Sequence, residues 1–347
     1  MVGAEVAAPG RTRPILATGF VVDQPDEGTT FPSAGGNSGE PRVQAVYWRC
    51  LVALFASARI TNPGQRLVLF SNVDPPKVDG IELGPVLAGY GVEHRRVPLS
   101  ARLARGRGAA WGNVLYFFDV LTNLAETEAP DTPMALVDSD VLVTGPLEPL
   151  FALLDEADYA GYVVDSRPGE DINGLTREDF ARIIANGGGG TCSTAPLHYG
   201  GELFATKIGT WLRDRFLFAD LLAQAAERTG AGAGIRTEEH VFSVAWPLLG
   251  VPVATANHLL KRIWTSPRHN TARPGDETLP LWHLPAEKRN GFSDLFRALS
   301  LGGFTDKMDP GELRSLAGRL CGVPRKQPGK IVRDGLRQVA AKVGLRT

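Results

Sequence analysis

The chain has 347 residues, 43% of them apolar and 22% charged, so it can bury a large core and is not expected to be disordered as a whole. Its 37 basic and 38 acidic side chains leave a formal net charge of -1, which excludes a general nucleic-acid binder held by a strongly basic surface. Cys50, Cys192 and Cys321 are far apart and form no CxxC pair, so neither a structural zinc nor a redox pair is expected, and a reduced, cytoplasmic compartment fits.

Met1 to Gly10 lacks a basic start followed by a long apolar stretch, and no run reaches the roughly 18 to 20 apolar residues of a membrane span, so a soluble or peripheral protein is expected. Arg13 to Val22 (RPILATGFVV) reads as a short buried strand that ends at the acidic turn Asp23 to Glu27. Gly28 to Pro41 is rich in Gly, Ser and Pro without periodicity and suits either a ligand loop or a plain connection. Arg42 to Thr61 carries Val46, Cys50, Ala53 and Leu54 at helical spacing and is stopped by Asn62-Pro63-Gly64. Arg66 to Asn72 (RLVLFSN) is a compact strand, and strand, helix, strand is the running order of a parallel sheet. After a weaker unit, Ile81 to Pro98, a small-residue loop from Arg102 to Gly112 carries Arg102, Arg105 and Arg107. Asn113 to Glu128 follows as a helix with Leu115, Phe118, Leu121 and Leu124 inward.

The most informative segment is Met134 to Val143 (MALVDSDVLV). Read as one strand, it places Asp138 and Asp140 on the same face, because side chains alternate with period two. At the carboxyl end of a buried parallel strand, two such carboxylates suit a hard cation such as Mn2+ or Mg2+. The alternative is a turn with two solvated aspartates, which the flanking ALV and VLV triplets disfavour. Further strands are expected at Tyr159 to Val164, His198 to Thr206, Val251 to Ala256 and Leu279 to Leu284. Helices are expected at Leu150 to Ala157, Thr176 to Ala185, Gly209 to Thr229 and within Ile235 to Leu249, with a glycine hinge at Gly187 to Gly190. Arg319 to Thr347 holds eight basic residues (Arg319, Arg325, Lys326, Lys330, Arg333, Arg337, Lys342, Arg346) against one acid, Asp334. A helix from Gly329 aligns Ile331, Leu336, Val339 and Val343 as an apolar stripe, for packing on the domain or for resting on an anionic membrane surface.

The string VDSDVLVTGPLEPLF resembles the DxD segment of retaining GT-A glycosyltransferases, above all family eight, and Leu147, Pro149, Leu150 and Phe151 match its tail. His198 to Thr206 (HYGGELFAT) resembles the aromatic-plus-glycine strand of family six, the blood-group transferases. Thr237 to Ser243 (TEEHVFS) resembles the acidic segment beside the anomeric carbon, and Leu281 to Asn290 (LWHLPAEKRN) the late His and Lys motif. The matches span about residues 13 to 292.

The resemblance implies an α/β GT-A (nucleotide-diphospho-sugar transferase) fold, a mostly parallel central sheet flanked by helices. Its nucleotide-binding part would be about 13–165, its acceptor and catalytic part 166–300, and a basic helical extension 301–347. It implies transfer of a hexose from a nucleoside-diphosphate sugar, a UDP-sugar foremost, to a glycan, lipid or natural-product acceptor, with retention. Asp138, Asp140 and His283 would hold Mn2+ (or Mg2+), with Lys288 on the diphosphate. Ala17, Thr18, Asp138, Tyr199, Gly200 and Gly201 would meet the donor.

The chemistry agrees, since a sugar–diphosphate bond breaks only if charge on the leaving phosphates is stabilised. Oxocarbenium character at the sugar also calls for a carboxylate, Glu238 or Glu239. Consecutive helical residues point about 100° apart, so only one of the two can face the sugar, and the register leaves both open. Where family eight commonly carries an Arg, this chain reads Tyr116-Phe117-Phe118, so that cation is missing or comes from Arg105 or Arg107. Glu202, inside HYGGELF, either binds a sugar hydroxyl or faces water. The rival functions are a sugar-phosphate nucleotidyltransferase, which usually has an early basic Gly-rich loop that Asp23 to Gly39 lacks, and a non-catalytic sugar-nucleotide-binding protein.

Overall fold

The structure, a computed structural model, describes residues 12–23, 29–30, 36–100, 112–187, 195–227, 234–266, 269–300 and 308–342. β1 (Ile15–Phe20) is followed by α1 (Pro41–Thr61), β2 (Arg66–Ser71), β3 (Lys77–Val78), β4 (Ile81–Glu82), α2 (Leu83–Gly89) and β5 (Val92–Arg96). Next come α3 (Tyr116–Thr127), β6 (Pro133–Val137), β7 (Val141–Val143), α4 (Glu148–Ala152) and β8 (Tyr159–Val163). α5 (Arg177–Asn186), β9 (Tyr199–Lys207), α6 (Ile208–Glu227) and α7 (Glu238–Leu249) complete the middle of the chain. The last part holds β10 (Val253–Thr255), β11 (Leu260–Arg262), β12 (Leu281–His283), α8 (Gly291–Ser300), α9 (Pro310–Cys321) and α10 (Pro328–Lys342).

Seven strands form one sheet in the order β10-β8-β9-β6-β1-β2-β5. Every pairing in it is parallel except those of β9, which runs antiparallel to both β6 and β8. Alternation along the strands divides the core in two. Leu16, Phe20, Leu67, Leu69, Ala135 and Val137 face α1, α8 and α9, whereas Ile15, Ala17, Val68, Phe70, Met134 and Leu136 face α3, α6 and α7. On the second side Phe204, Phe242 and Trp246 stack on one another, with ring centroids 4.9 to 5.8 Å apart. By length and composition α1 would pass for a membrane span, but it lies buried inside the fold.

Two expectations change. Met134 to Val143 is not one strand: β6 belongs to the large sheet and β7 to a three-stranded sheet, β11-β12-β7. The chain switches sheets at Asp138-Ser139-Asp140, a turn closed by the Val141 N–H on the Asp138 carbonyl at 3.1 Å. Apolar triplets flank it because each half is a buried strand in its own right. α1 braces the second half, with Ser57 Oγ accepting from the Val143 N–H at 3.1 Å and the Asn62 side chain bonding Gly145 and Leu147.

The second change concerns α10, whose inward face is charged rather than apolar. Lys330 and Asp334 are buried at 3% and 4% exposure, while Ile331, Val332 and Leu336 are 56%, 63% and 66% exposed. Lys330 Nζ lies 2.7 Å from Glu287 and 2.9 Å from Asp334, and Arg337 pairs with Asp294. Ion pairs therefore set the rotation of this helix. Nothing about Val343 or the Val339 side chain is described.

Candidate metal centre and cleft

A cleft of about 340 Å3 opens at the carboxyl ends of β1 and β6, where open α/β sheets receive ligands. One wall is aromatic: Phe20 stacks on Tyr47 with centroids 5.4 Å apart, and the Lys288 ammonium sits 5.8 Å from the Tyr47 ring. The other walls come from the Asp138 turn, the start of α7, β11 and the segment after β12.

The structure brings Asp138, Asp140 and His283 together, each with a ligand atom within 4.8 Å of the others. His283 Nε2 lies 3.2 Å from Asp140 Oδ2 and 3.5 Å from Asp138 Oδ2. The cause is strand pairing. β12 runs antiparallel to β7 with His283 opposite Val141, and the Leu284 N–H donates to the Asp140 carbonyl at 3.0 Å. The turn, rather than period-two alternation, makes the two carboxylates converge. It leaves them unequal, Asp138 with 46% of its side chain exposed and Asp140 with 2%.

Lys288, one 3-10 turn after β12, donates from Nζ to Asp140. Burial works against the Asp140 charge, yet Lys288 and His283 hold its carboxyl well below the usual range. Asp138 is pushed upward by the enclosure of the cleft and by the Asp140 charge, although part of it faces the opening. Burial opposes protonation of His283, but Asp140 and Glu202 outweigh it and lift the imidazole to about 9. Two carboxylates and an imidazole are the donor set of a hard to borderline divalent cation, so these residues fit Mn2+ or Mg2+.

Glu238 and Glu239 open α7 and both line the cleft, in different electrostatic settings. Glu238 is raised well above its ordinary value by desolvation, then by Glu239 and Asp138, and its Oε2 has no hydrogen-bond partner. For Glu239 burial is outweighed by His198, His240 and Asn173, which lower it. Asn173 Nδ2 donates to Glu239 Oε1 from a residue at φ 55°, a left-handed conformation Asn tolerates better than most. The two adjacent carboxyls are thus driven in opposite directions.

Other expected residues fall elsewhere. From β1 the cleft is lined by Gly19, Phe20 and Val21, while Ala17 and Thr18 are buried at 0% and 1% exposure beneath it. Tyr199 turns its ring into the core, edge-on to Trp246 at 4.5 Å. Gly201 lines the cleft, and a Cβ there would sit 2.1 Å from Glu238 Oε1; a Cβ at Gly200 would sit 2.0 Å from Glu202 Oε2. A side chain at either position would have to displace a neighbouring carboxylate. Arg105 and Arg107 lie outside the described residues. Glu202 does not face water: it is fully buried and gripped by Arg262, which also lines the cleft. Burial would raise Glu202, but Arg262 and His283 hold it down at about 2. Arg262, Trp264 and Asn173 were not anticipated. β11 is three residues long and reads LKR, which carries no alternation to mark it as a strand.

No protein-family model matches the chain, and no curated protein matches it by sequence. Solved structures do. The bifunctional glycosyltransferase WbbM matches over 88% of this chain with a TM-score of 0.51 and 10% identity, this chain spanning 53% of its length. The galactosyltransferase LgtC, in complex with donor and acceptor sugar analogues, matches over 91% of this chain and 99% of its own, with a TM-score of 0.46 and 14% identity. GlyE of Streptococcus pneumoniae TIGR4 matches over 88% and 63%, with a TM-score of 0.44 and 13% identity. The likeness to WbbM shows the fold: α/β, GT-A, with a mostly parallel central sheet flanked by helices.

Proposed function

We propose that the protein is a metal-dependent glycosyltransferase that moves a hexose from a nucleoside-diphosphate sugar, a UDP-sugar foremost, to a glycan, lipid or natural-product acceptor with retention. The observation that carries this reading is the meeting of Asp138, Asp140 and His283 beside Lys288, at the sheet edge where this fold receives its ligand. A bound divalent cation supplies neutralising charge for the diphosphate leaving group. Asp138, Asp140 and His283 would hold it, and Lys288, paired with Asp140, would add positive charge beside a phosphate oxygen. Glu239, kept ionised by His198, His240 and Asn173, supplies negative charge to the developing oxocarbenium. Glu238, whose burial favours the protonated form, donates a hydrogen bond to a sugar hydroxyl, with Gly201 leaving room for it. Arg105 is assigned to the sugar from the sequence alone.

The test is a panel of UDP-, GDP- and dTDP-sugars incubated with the protein and Mn2+, with slow donor hydrolysis as the readout. Hydrolysis of one donor that stops on chelation supports the reading. Pyrophosphate release from a nucleoside triphosphate and a sugar phosphate, with no donor hydrolysis, overturns it in favour of a nucleotidyltransferase. Donor binding without turnover, with or without acceptors, overturns it in favour of a binding protein.

We further infer that α10 rests the protein on an anionic membrane surface from the cytoplasmic side. Its outward face offers Ile331, Val332 and Leu336, and Arg319 and Arg325 are exposed before it, while Lys326, Lys330, Arg333 and Arg337 pair with Glu287, Asp294 and Asp334. Apolar insertion plus roughly 1 kcal/mol per nearby Lys or Arg is the usual energetics of such a foot. Co-sedimentation with phosphatidylglycerol vesicles that is lost in Ile331→Asp/Leu336→Asp, and absent with phosphatidylcholine alone, supports it. Unchanged co-sedimentation of the double variant removes it.

A further inference from the structure

Glu202, on β9 of the large sheet, is 0% exposed and yet stands among the polar groups of the cleft. Its two oxygens accept from Arg262 Nε and Nη2, both at 2.7 Å, a bidentate pairing. Oε1 also lies 3.3 Å from His283 Nδ1. The three residues come from separate parts of the chain, and strand register explains their meeting. β11 pairs with β12 in parallel with Arg262 beside His283, and the Glu202 carbonyl accepts from the Asp138 N–H at 3.3 Å. Glu202 therefore links the large sheet to the small one next to the candidate metal ligands.

We propose that Glu202 is a positioning residue for the metal centre, its carboxylate clamped by Arg262 so that His283 holds its hydrogen on Nδ1 and turns Nε2 to the cation. An ionised carboxylate has no hydrogen to give, so the only hydrogen bond it can share with Nδ1 is one in which the ring donates. The fork of Arg262 fixes both oxygens, so the carboxylate cannot rotate away from the ring. Nε2 is then the nitrogen left for a ligand, and it is the one facing Asp140 and Asp138. Carboxylates placed behind ligating histidines set ring orientation and basicity, and losing them typically weakens metal binding about ten- to a hundred-fold. Gly200 belongs to this device: a Cβ there would lie 2.0 Å from Glu202 Oε2 and 2.9 Å from Arg262 Nη2, inside the clamp.

The inference rests on Asp138, Asp140 and His283 being a metal site, and the experiment separates the two. Mn2+ is titrated into the full-length wild type, Glu202→Gln and Arg262→Lys, the free ion is followed by electron paramagnetic resonance, and each melting temperature is recorded. The expected result is about ten- to a hundred-fold weaker binding in folded Glu202→Gln and a smaller loss in Arg262→Lys. Wild-type affinity in both folded variants overturns the role of Glu202 and leaves the metal site standing. A wild type that binds no Mn2+ overturns both. Should Glu202→Gln fail to fold, the 15N spectrum of His283 in Zn2+-loaded wild type decides: a hydrogen on Nδ1 with the metal on Nε2 supports the inference, and metal on Nδ1 overturns it.

Discussion

The two ends of the cleft handle buried charge in opposite ways. At the metal end every ionised group has a counter-charge from the protein: Lys288 on Asp140, Arg262 on Glu202, and His283 between them. At the α7 end Glu238 Oε2 is enclosed and left without a hydrogen-bond partner. A buried polar group without a partner costs about 1–3 kcal/mol, so such groups mark places where a ligand can supply what the protein does not. The first end supplies its own counter-charges, and the second leaves a buried carboxyl oxygen unpaired.

The largest effect is expected at the metal end. Asp140→Ala should lower donor turnover about a thousand-fold, roughly 4 kcal/mol, and abolish its dependence on Mn2+. Turnover with wild-type Mn2+ dependence would remove Asp140 from the site. Next comes pH. His283 is lifted to about 9, so a proton competes with the cation below that value, and Mn2+ affinity should rise by up to about tenfold per pH unit from 7 towards 9 and then level off. For the metal-free protein the sign is opposite. The His283 contribution to stability is fully present below its unfolded value of about 6.5 and is lost as pH rises through about 9, so the melting temperature should fall over that range. A flat Mn2+ affinity between pH 7 and 9 contradicts the assignment of His283.

The α7 end is tested by a pair of near-isosteric changes. Glu239→Gln removes a charge and should reduce kcat on the order of a hundred-fold, whereas Glu238→Gln replaces a carboxyl that burial drives towards its neutral form and should cost less than about tenfold. The reverse order would exchange their roles. Effects smaller than those of Asp140→Ala and Glu239→Gln are expected from the adjacent glycines. Gly200→Ala intrudes on Glu202 and should weaken Mn2+ binding; Gly201→Ala intrudes on Glu238 and should raise the KM for the donor, each by about tenfold. If both variants shift the same parameter, the division between the two ends fails.

The course of α3 could be read from periodicity because it buries one stripe, and that of α1, β2 and β9 from apolar runs because they are buried on nearly all sides. The apolar strand around His283 could be read too, but not its partner, since nothing local in LWH encodes pairing with β7. The DxD segment pointed to the right place for a reason the structure replaces: converging carboxylates come from a change of sheet. Arg262 was out of reach because β11 is too short to show a pattern. The rotation of α10 was out of reach as well, because it is decided by Lys330 finding Glu287, 43 residues away, and no periodicity in the helix itself reports a distant ion pair.

The antiparallel register of β12 on β7 has a consequence for biosynthesis. His283 joins the Asp138 turn only through a strand that begins at Leu281, so a nascent chain carries two of the three candidate ligands well before the third is synthesised. A chain cut before β12 would hold only two of the three candidate ligands, so the group cannot form from the Asp138 turn alone.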